Sequence, residues 1–344
     1  MSFSFYTTAQ EVVESLKESL MALNPKTHVE DKALKKALEE VEKNFGTMRT
    51  MLSENGKYSE SLNLDRVSQF VEEICKEDVL TLVIQKLPIL GWQARKDLVH
   101  CWSIFFKQKV VDSNDYSCVE YIEQHIELLD FLLVCYDKNG TAPSSGIMLR
   151  ECIKFPNLAK GLLESPRFGL FFKYVDLPNF DVAYDAFSTL KDLLTKHVNV
   201  VSEYLKTHYD VFFDLYNENL LKSPNYATRR GSINLLLDIL LETSKETSDA
   251  QIMKRYISQV RYLKVAMTLL TDSSKRIQLS AFDIFKVFVA NPNKPREVKI
   301  ILCKNKEKLL ELLHKLSLEK DSKEDEQFKE EKEFIIKEIE RISI

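Results

Sequence analysis

The chain has 344 residues, with 48 Lys and Arg against 52 Asp and Glu and a net charge of −4. Its 8 Gly and 9 Pro are scarce for a protein built on β-hairpins or phosphate-binding loops, so the composition favours a mostly helical protein. A hydrophobic share of 44% excludes general disorder. The balanced charge argues against nucleic-acid binding, and no apolar run approaches the roughly 20 residues that span a bilayer.

The N-terminal segment predicts two capping helices. Thr8 and Glu11 form the T-x-x-E pattern of a capping box, which predicts a helix over Ala9–Leu23. A second helix is expected from about Asp31 to Leu52. We interpret residues 1–60 as a cap that covers the end of a helical array.

An internal repeat follows. Five segments share a small or polar residue, then an apolar anchor, then a second apolar anchor six positions later, with intervals of 49, 40, 46 and 49 residues. This spacing places the anchors on one stripe of an α-helix. The segments are Asp97-Leu98 with Ile104, Gly146-Ile147 with Ile153, Ala186-Phe187 with Leu193, Ser232-Ile233 with Ile239, and Ala281-Phe282 with Phe288.

Another apolar helix precedes each of these segments, and short breaks rich in Pro, Gly, Asn or Ser separate the two. These helices are expected at Val79–Leu87, Glu127–Cys135, Gly169–Val175, Val211–Leu221 and Leu263–Leu270, with Leu309–Leu316 continuing the series. Helix pairs at a period of 40–50 residues are the signature of HEAT or armadillo stacking. The sequence therefore predicts a single all-α domain, a curved α-solenoid with stacked repeats over residues 61–316.

Residues 317–344 complete the predicted domain. The stretch Glu319–Glu333 is mostly charged and is expected to be a solvated connection. Phe334, Ile335, Ile339 and Ile342 then return at helical spacing, which predicts a final helix that caps the last repeat.

Sequence motifs for catalysis, cofactors and metals are missing. The glycines fit neither a phosphate-binding loop nor a dinucleotide fingerprint, and there is no HExxH, EF-hand loop or G-x-S-x-G elbow. The six cysteines are scattered through apolar helical patterns without a CxxC pair, so we expect reduced, buried thiols in a cytoplasmic protein. We predict that the chain is not an enzyme and holds no cofactor or metal.

Five blocks of residues, in order along the chain, resemble the calcium-binding protein 39 family, also called mouse-protein-25-like scaffolds. The likeness begins at Met1-Ser2-Phe3-Ser4-Phe5 and runs nearly to the C-terminus. The blocks are Gly146–Cys152, Phe180-Asp181 with Asp185-Ala186-Phe187, Lys191–Thr195 with His197, Phe285–Lys294, and Glu324–Phe328.

The resemblance implies a cytosolic scaffold of helical repeats without enzymatic activity. Members of the family bind protein kinases or pseudokinases of the germinal-centre class through a concave face and hold them in an active conformation. A pocket towards the C-terminal end accepts a Trp-Glu-Phe-type peptide from the partner's tail. The expected partners are therefore such kinases, and a monomer is expected for the chain by itself.

The family's peptide pocket corresponds to four positions here: Arg230, Asn234, Met267 and Lys304. Met suits an aromatic ring, and Arg and Lys suit a carboxylate. Asn234 stands where the family pattern has Lys, which removes one attraction for the acidic peptide residue. A second departure is the stretch Thr243–Gln251, about four residues longer than the family's loop and without an aromatic residue.

Other interpretations stay open at this stage. Each of the four positions also fits a purely structural role, with Arg230 a solvated cation and Met267 a core residue. Arg150 interrupts the apolar stripe, and we expect it to bridge adjacent repeats or cap carbonyls. As a whole, the chain could be an α-solenoid adaptor that binds other protein cargo without affecting kinase activity. A calcium-responsive protein is a weaker third possibility, since no loop of oxygen ligands is visible.

Overall fold

In the computed structural model the chain is helical. The structure describes residues 8–23, 31–53, 60–108, 117–138, 140–246, 251–317 and 323–343. These residues form helices joined by turns and short loops, without a β-strand among them. The predicted all-α class is confirmed.

The chain divides into two compact units, residues 1–196 and 197–344. The first contains eleven helices over the residues that the structure describes, with short 3-10 turns at Leu87–Ile89 and Cys135–Asp137. The helices are α1 Ala9–Ala22, α2 Asp31–Ser53, α3 Glu60–Lys76, α4 Val79–Lys86, α5 Trp92–Phe105, α6 Ser117–Gln124, α7 Glu127–Val134, α8 Ala142–Cys152, α9 Pro156–Glu164, α10 Leu170–Tyr174 and α11 Phe180–Thr195.

Helices three apart in the chain pack on one another throughout this unit. One row runs α1–α4–α7–α10, a second α2–α5–α8–α11, and a third α3–α6–α9. From α4 and α5 onward, the first two rows are the predicted helix pairs, and α1 and α2, predicted as capping helices, begin these rows. The third row was not predicted as part of the repeat, so the repeating element has three helices, as in armadillo repeats, rather than two.

The first helix begins as the capping box predicts. The backbone N–H of Glu11 donates to Thr8 Oγ1 at 3.2 Å, and the backbone N–H of Thr8 donates to Glu11 Oε2 at 2.9 Å. Two of the N–H groups that a helix leaves unpaired at its start are thereby satisfied. α1 then packs on α2, α3 and α4. The boundaries proposed for a single domain with separate caps stay a prediction.

Most of the ten predicted anchor side chains are buried, with one clear exception. Ile147 is 38% exposed, because the neighbouring positions Gly146, Met148 and Leu149 form the buried face of α8. The predicted anchor at Ile147 is therefore wrong.

Arg150 bridges two repeats, as the sequence predicts. From α8, its Nη2 donates to Asp185 Oδ1 at 2.8 Å and its Nη1 donates to Thr189 Oγ1 at 2.6 Å, both on α11. Asp185 Oδ2 accepts a further hydrogen bond, from the Tyr136 hydroxyl at 2.8 Å. Burial raises the pKa of Tyr136 well above its ordinary value, so this hydroxyl keeps its proton and donates.

The second unit contains eight further helices and a π-helical segment at Asn217–Leu221 over the residues that the structure describes. They are α12 Val198–Tyr216, α13 Tyr226–Glu246, α14 Gln251–Ile257, α15 Val260–Leu269, α16 Lys275–Ala290, α17 Arg296–Lys304, α18 Lys306–Lys315 and α19 Lys323–Arg341.

The long helices α13, α16 and α19 pack in series in this unit, and α15 packs on both α16 and α17. α12 bends at His208, whose φ of −110° and ψ of 20° leave the helical range. Its second part, with the π segment, is the predicted helix Val211–Leu221. Stacked Tyr256 and Tyr262 rings, 4.4 Å apart, lie in the core between these helices.

The C-terminal helix differs from its prediction in where it starts. α19 begins at Lys323, inside the charged stretch expected to be a connection. Its C-terminal half buries Ile335 and Ile339, and it packs on α16 and α18. Helix formation thus extends through charged residues on the solvent side, where alternating Glu and Lys tolerate a helix.

All six cysteines are free thiols, as predicted, but two of them are not fully buried. Cys75 and Cys303 are partly exposed, whereas the other four lie in the core. Over the described ranges, no helix has both the length and the apolar character needed to cross a membrane. The same ranges hold no cluster of three or more His, Cys, Asp or Glu side chains that could bind a metal ion. The cytoplasmic location stays a prediction.

Candidate peptide-binding site

The start of α13 fixes the backbone of the candidate site. The side chain of Asn225 caps the helix, because its Oδ1 accepts from the backbone N–H groups of Ala227 at 2.9 Å and Thr228 at 3.3 Å. The Ser223 hydroxyl accepts in turn from the N–H of Asn225 at 3.1 Å. The break Ser-Pro-Asn, recognised in the sequence, is therefore the turn that sets where α13 begins.

The four predicted pocket residues lie on three helices of the second unit. Arg230 and Asn234 are exposed and one turn apart on α13, so they share a face of that helix. Met267 is half-buried on α15, and Lys304 is exposed at the last position of α17.

Met267 and Lys304 are on helices in direct contact, because α15 packs on α17. The helix carrying Arg230 and Asn234 packs on α16, as does α15. The four residues therefore lie on helices that contact one another directly or through α16. Whether they bind one ligand stays a prediction.

A cleft of about 590 Å³ lies beside these positions, between α13, α15 and the π-helical segment. Leu221, Val265 and Leu269 supply apolar surface to it. None of the four predicted residues lines this cleft. On α13 the lining residue is the neighbour Arg229, and on α15 the lining residues Val265 and Thr268 flank Met267. One step along a helix turns a side chain by about 100°, which accounts for the difference.

Arg229 is fixed at the edge of the cleft. Its Nε lies 3.2 Å from Asp272 Oδ2, and both side chains are largely buried. Its Nη1 donates to the backbone carbonyl of Ser223 at 2.6 Å. The approach of Nε to Asp272 is an ion pair without the alignment of a hydrogen bond, so this buried N–H has no hydrogen-bond partner among the described residues.

Three further cations line the cleft and differ in their freedom to bind a ligand. Arg261 forms ion pairs with Asp214 at 2.6 Å and Asp210 at 3.0 Å. Lys222 pairs with Glu218 at 2.5 Å. Lys264 is exposed and forms no ion pair with any residue in the described ranges. The cleft therefore combines apolar surface with one cation, Lys264, that has no ion pair among the described residues, which suits an acidic peptide carrying apolar side chains.

No sequence motif or repeat position singles out Arg229 or Lys264. Arg229 is adjacent to the selected Arg230, and its partner Asp272 lies in a break between helices that the repeat pattern already marked. The available signal for Arg229 was its position next to Arg230, together with the acidic Asp272 in the turn before α16. Exposed lysines such as Lys264 carry no such mark in a single sequence.

Known proteins are similar to this chain over nearly its whole length. A family model described as Mo25-like matches residues 3–343. The protein named calcium-binding protein 39-like from Mus musculus is 40% identical over 329 residues, 96% of this chain and 93% of its own length. The Mo25-like protein of Schizosaccharomyces pombe is 38% identical over 345 residues, 99% of this chain and 100% of its own. Among solved structures, a designed armadillo repeat protein aligns with 79% of this chain and 99% of its own at 11% identity and a TM-score of 0.39, too distant a likeness to add to the fold described above.

Proposed function

The chain belongs to the Mo25-like family, and from this premise we propose that it is a non-catalytic scaffold for protein kinases. Its partners are kinases or pseudokinases of the germinal-centre class, which it binds and holds in an active conformation. A secondary pocket around Arg230, Asn234, Met267 and Lys304 binds a Trp-Glu-Phe-type peptide. The family match along nearly the whole chain carries the proposal.

Exposed aromatic residues on the first unit support a role in protein binding. Phe180 and Tyr184 are 61% and 63% exposed on the first turns of α11, and their rings stack 6.1 Å apart. Trp92 is 69% exposed at the start of α5, in the same row of helices. Tyr and Trp dominate the energetics of protein interfaces, and large apolar groups held in water by a folded chain favour a partner that covers them.

Activation follows if the scaffold binds the active kinase more tightly than the inactive one. A kinase is active when its αC helix is placed so that a Lys–Glu ion pair forms beside the nucleotide. A preorganised surface that fits only this placement shifts the population of kinase molecules by its difference in affinity for the two states. No chemical step on the scaffold is required.

The peptide pocket fits the same scheme as a second attachment point. Arg230 and Lys304 supply exposed positive charge for the peptide's carboxylate, and Met267 supplies a polarisable surface for a ring. Asn234 keeps a hydrogen-bonding side chain without the charge. Two attachment points raise the overall affinity because the second becomes intramolecular.

A kinase assay at saturating scaffold tests the proposed activation. The rate of a purified germinal-centre-class kinase on a peptide substrate is measured with and without the full chain. We expect the rate constant of the saturated complex to exceed that of the free kinase tenfold or more. An unchanged rate in a complex that demonstrably forms would favour the adaptor that only tethers its cargo.

Binding of a labelled peptide ending in Trp-Glu-Phe, followed by fluorescence anisotropy, tests the pocket. Arg230→Ala combined with Met267→Ala is expected to weaken binding tenfold or more, since each contact is worth roughly 1 kcal/mol or above. The matched control is Arg341→Ala combined with Met21→Ala, which removes an exposed Arg and an exposed Met elsewhere. Unchanged affinity in the first variant contradicts the pocket assignment.

A further variant locates the peptide relative to the cleft. Lys264→Ala removes the unpaired cation of the cleft and leaves Arg230 and Met267 in place. If this change alone abolishes binding while the Arg230 and Met267 changes do not, the peptide occupies the cleft rather than the predicted pocket.

A further inference from the structure

Two cysteines of neighbouring repeats face each other in the first unit. Cys75 lies near the end of α3 and Cys118 in the first turn of α6, two helices that pack together. Their sulfur atoms are 3.9 Å apart across 43 positions of sequence. A disulfide has a sulfur–sulfur distance of about 2.0 Å, so a small adjustment of the two side chains brings them within bonding distance.

The two thiols differ in their access to solvent. Cys75 is partly exposed, whereas Cys118 is fully buried. Contact with Cys75 and burial both raise the pKa of the Cys118 thiol well above its ordinary value. An oxidant therefore reaches Cys75 first, and Cys118 stays protonated next to it, the usual arrangement of an attacked and a resolving thiol.

Cys303 offers the comparison within the same chain. It is the other partly exposed cysteine, but its Sγ lies 3.6 Å from the backbone carbonyl of Ile342 rather than against a second thiol among the described residues. If Cys303 is oxidised, no second thiol in the part of the chain that the structure describes is in contact with it, so it cannot form an intramolecular disulfide in the way that Cys75 can.

We propose that Cys75 and Cys118 form a reversible disulfide when a hydroperoxide oxidises the reduced protein. The Cys75 thiolate attacks the terminal oxygen of the hydroperoxide, the O–O bond breaks, and the departing oxygen takes a proton, leaving a sulfenic acid on Cys75 and an alcohol or water. The Cys118 sulfur then attacks Cys75, the S–O bond breaks, and hydroxide leaves as water with the Cys118 proton. Overall, two thiols and one hydroperoxide give a disulfide, an alcohol or water, and a second water.

The product ties α3 covalently to α6. These helices belong to successive repeats. The disulfide lies near a hydrogen bond that already joins them, in which the Tyr121 hydroxyl on α6 donates to Asp78 Oδ1, just after α3, at 3.0 Å. The reduced chain holds these repeats by packing and hydrogen bonds, and the oxidised chain adds a covalent bond. A dithiol restores the first state by exchange.

Peptide mapping of the full chain tests the proposal. The reduced protein is treated with hydrogen peroxide, its remaining thiols are blocked with N-ethylmaleimide, and a non-reducing digest is analysed by mass spectrometry. We expect a Cys75–Cys118 cross-linked peptide, no N-ethylmaleimide on either of these two of the six thiols, and recovery of both thiols after treatment with dithiothreitol. A cross-link that joins Cys118 to Cys152 instead, or six thiols after peroxide, overturns the proposal.

Single variants check the order of events. Cys118→Ala is expected to accumulate a dimedone-reactive sulfenic acid on Cys75 without a cross-link. Cys303→Ala, the matched control, is expected to form the cross-link as the parent chain does. If circular dichroism shows that either variant is unfolded, the digest of the peroxide-treated parent chain decides the proposal by itself.

Discussion

Gly146 lies at a close approach between two repeats of the first unit. A Cβ atom at this position would lie 1.8 Å from Asp185 Oδ2 and 2.6 Å from the Tyr136 hydroxyl. These are the atoms that, with Arg150, join α8 to α11. The absence of a side chain at Gly146 is therefore a condition for the network to form.

The first prediction concerns Gly146→Ala. The added methyl group displaces Asp185 from its hydrogen bonds, and we expect the free energy of unfolding to fall by about 2–3 kcal/mol. Urea unfolding followed by circular dichroism measures it. The control is Gly46→Ala in α2, where nothing lies within 4 Å of the added atom and Ala is expected to stabilise the helix by about 0.5–1 kcal/mol. Equal effects of the two substitutions would contradict the role given to Gly146.

Arg150 shows how far a single residue can be interpreted from sequence. Its interruption of an apolar stripe predicts a structural role, because a buried guanidinium needs partners. Its partners Asp185 and Thr189 lie 35 and 39 positions further along the chain. Nothing in the local sequence identifies them, since the spacing of α8 and α11 depends on how the repeats stack.

Among the helices, α1 depends most directly on a local sequence signal. Thr8→Ala removes the hydroxyl that accepts from Glu11 and is expected to cost about 1 kcal/mol of unfolding free energy. Thr50→Ala in α2 is the matched control, because Thr50 is exposed and bonds only to the carbonyl of Gly46 within its own helix. Thermal and urea unfolding of both variants check the difference, and a larger loss for Thr50→Ala would argue against the cap.

The junction after α3 predicts an acid-dependent contribution to stability. The ammonium of Lys17 on α1, at 2.7 Å, lowers the pKa of Glu77 from its ordinary value of 4.5, through its hydrogen bond and its charge. A lowered pKa in the folded state stabilises the fold above the unfolded value, and the contribution is lost as the pH falls through the folded value. Glu77→Gln should therefore be less stable than the parent chain at pH 7, and this difference should shrink as the pH falls below the ordinary pKa of 4.5.

Unfolding in urea at several pH values measures that change. Glu72→Gln is the control, since Glu72 is exposed on the preceding helix α3 and forms no ion pair with any residue that the structure describes. A difference between Glu77→Gln and the parent chain that stays constant from pH 7 to pH 3 would show that the contact with Lys17 does not carry it.

The helices most easily predicted are the long ones with a continuous apolar stripe. α5, α11, α13 and α16 have it, and the repeat was found through them. In the third row of the first unit, α6 and α9 have 8 and 9 residues and show too few turns for a period to emerge. α19 begins earlier than predicted because its first turns belong to the charged stretch Glu319–Glu333, which has no apolar period from which a helix could be recognised.

For the whole molecule, the sequence predicts the class of fold and the family but not the shape of the site. Arg230 and Met267 were selected by resemblance, and the distance between their helices depends on the intervening α16. The cleft lined by Arg229 and Lys264 forms where α13, α15 and the π-helical segment lie next to one another. Such convergence in space leaves no periodic signal in one chain.

The two proposed attachment points lie in different compact units. The exposed aromatic residues Trp92, Phe180 and Tyr184 belong to residues 1–196, and the peptide pocket belongs to residues 197–344. Their effects on binding should therefore separate. We expect Phe180→Ala with Tyr184→Ala to weaken binding of the kinase body tenfold or more, since exposed aromatic anchors cost about 2 kcal/mol when truncated. The same variant should leave the affinity for the free Trp-Glu-Phe peptide unchanged, because sites without shared contacts behave additively.

Two titrations of each full-length variant measure this separation, one with the isolated kinase domain and one with the labelled peptide. Met21→Ala is the control, because Met21 is 60% exposed in the first unit but lies on α1, outside the row α2–α5–α8–α11 that carries the exposed aromatic residues. Arg230→Ala with Met267→Ala should show the opposite pattern, with weaker peptide binding and an unchanged affinity for the kinase domain. If the Phe180 and Tyr184 changes weaken the peptide as much as the kinase domain, the two surfaces act as one site, and the independence of the two attachment points is wrong.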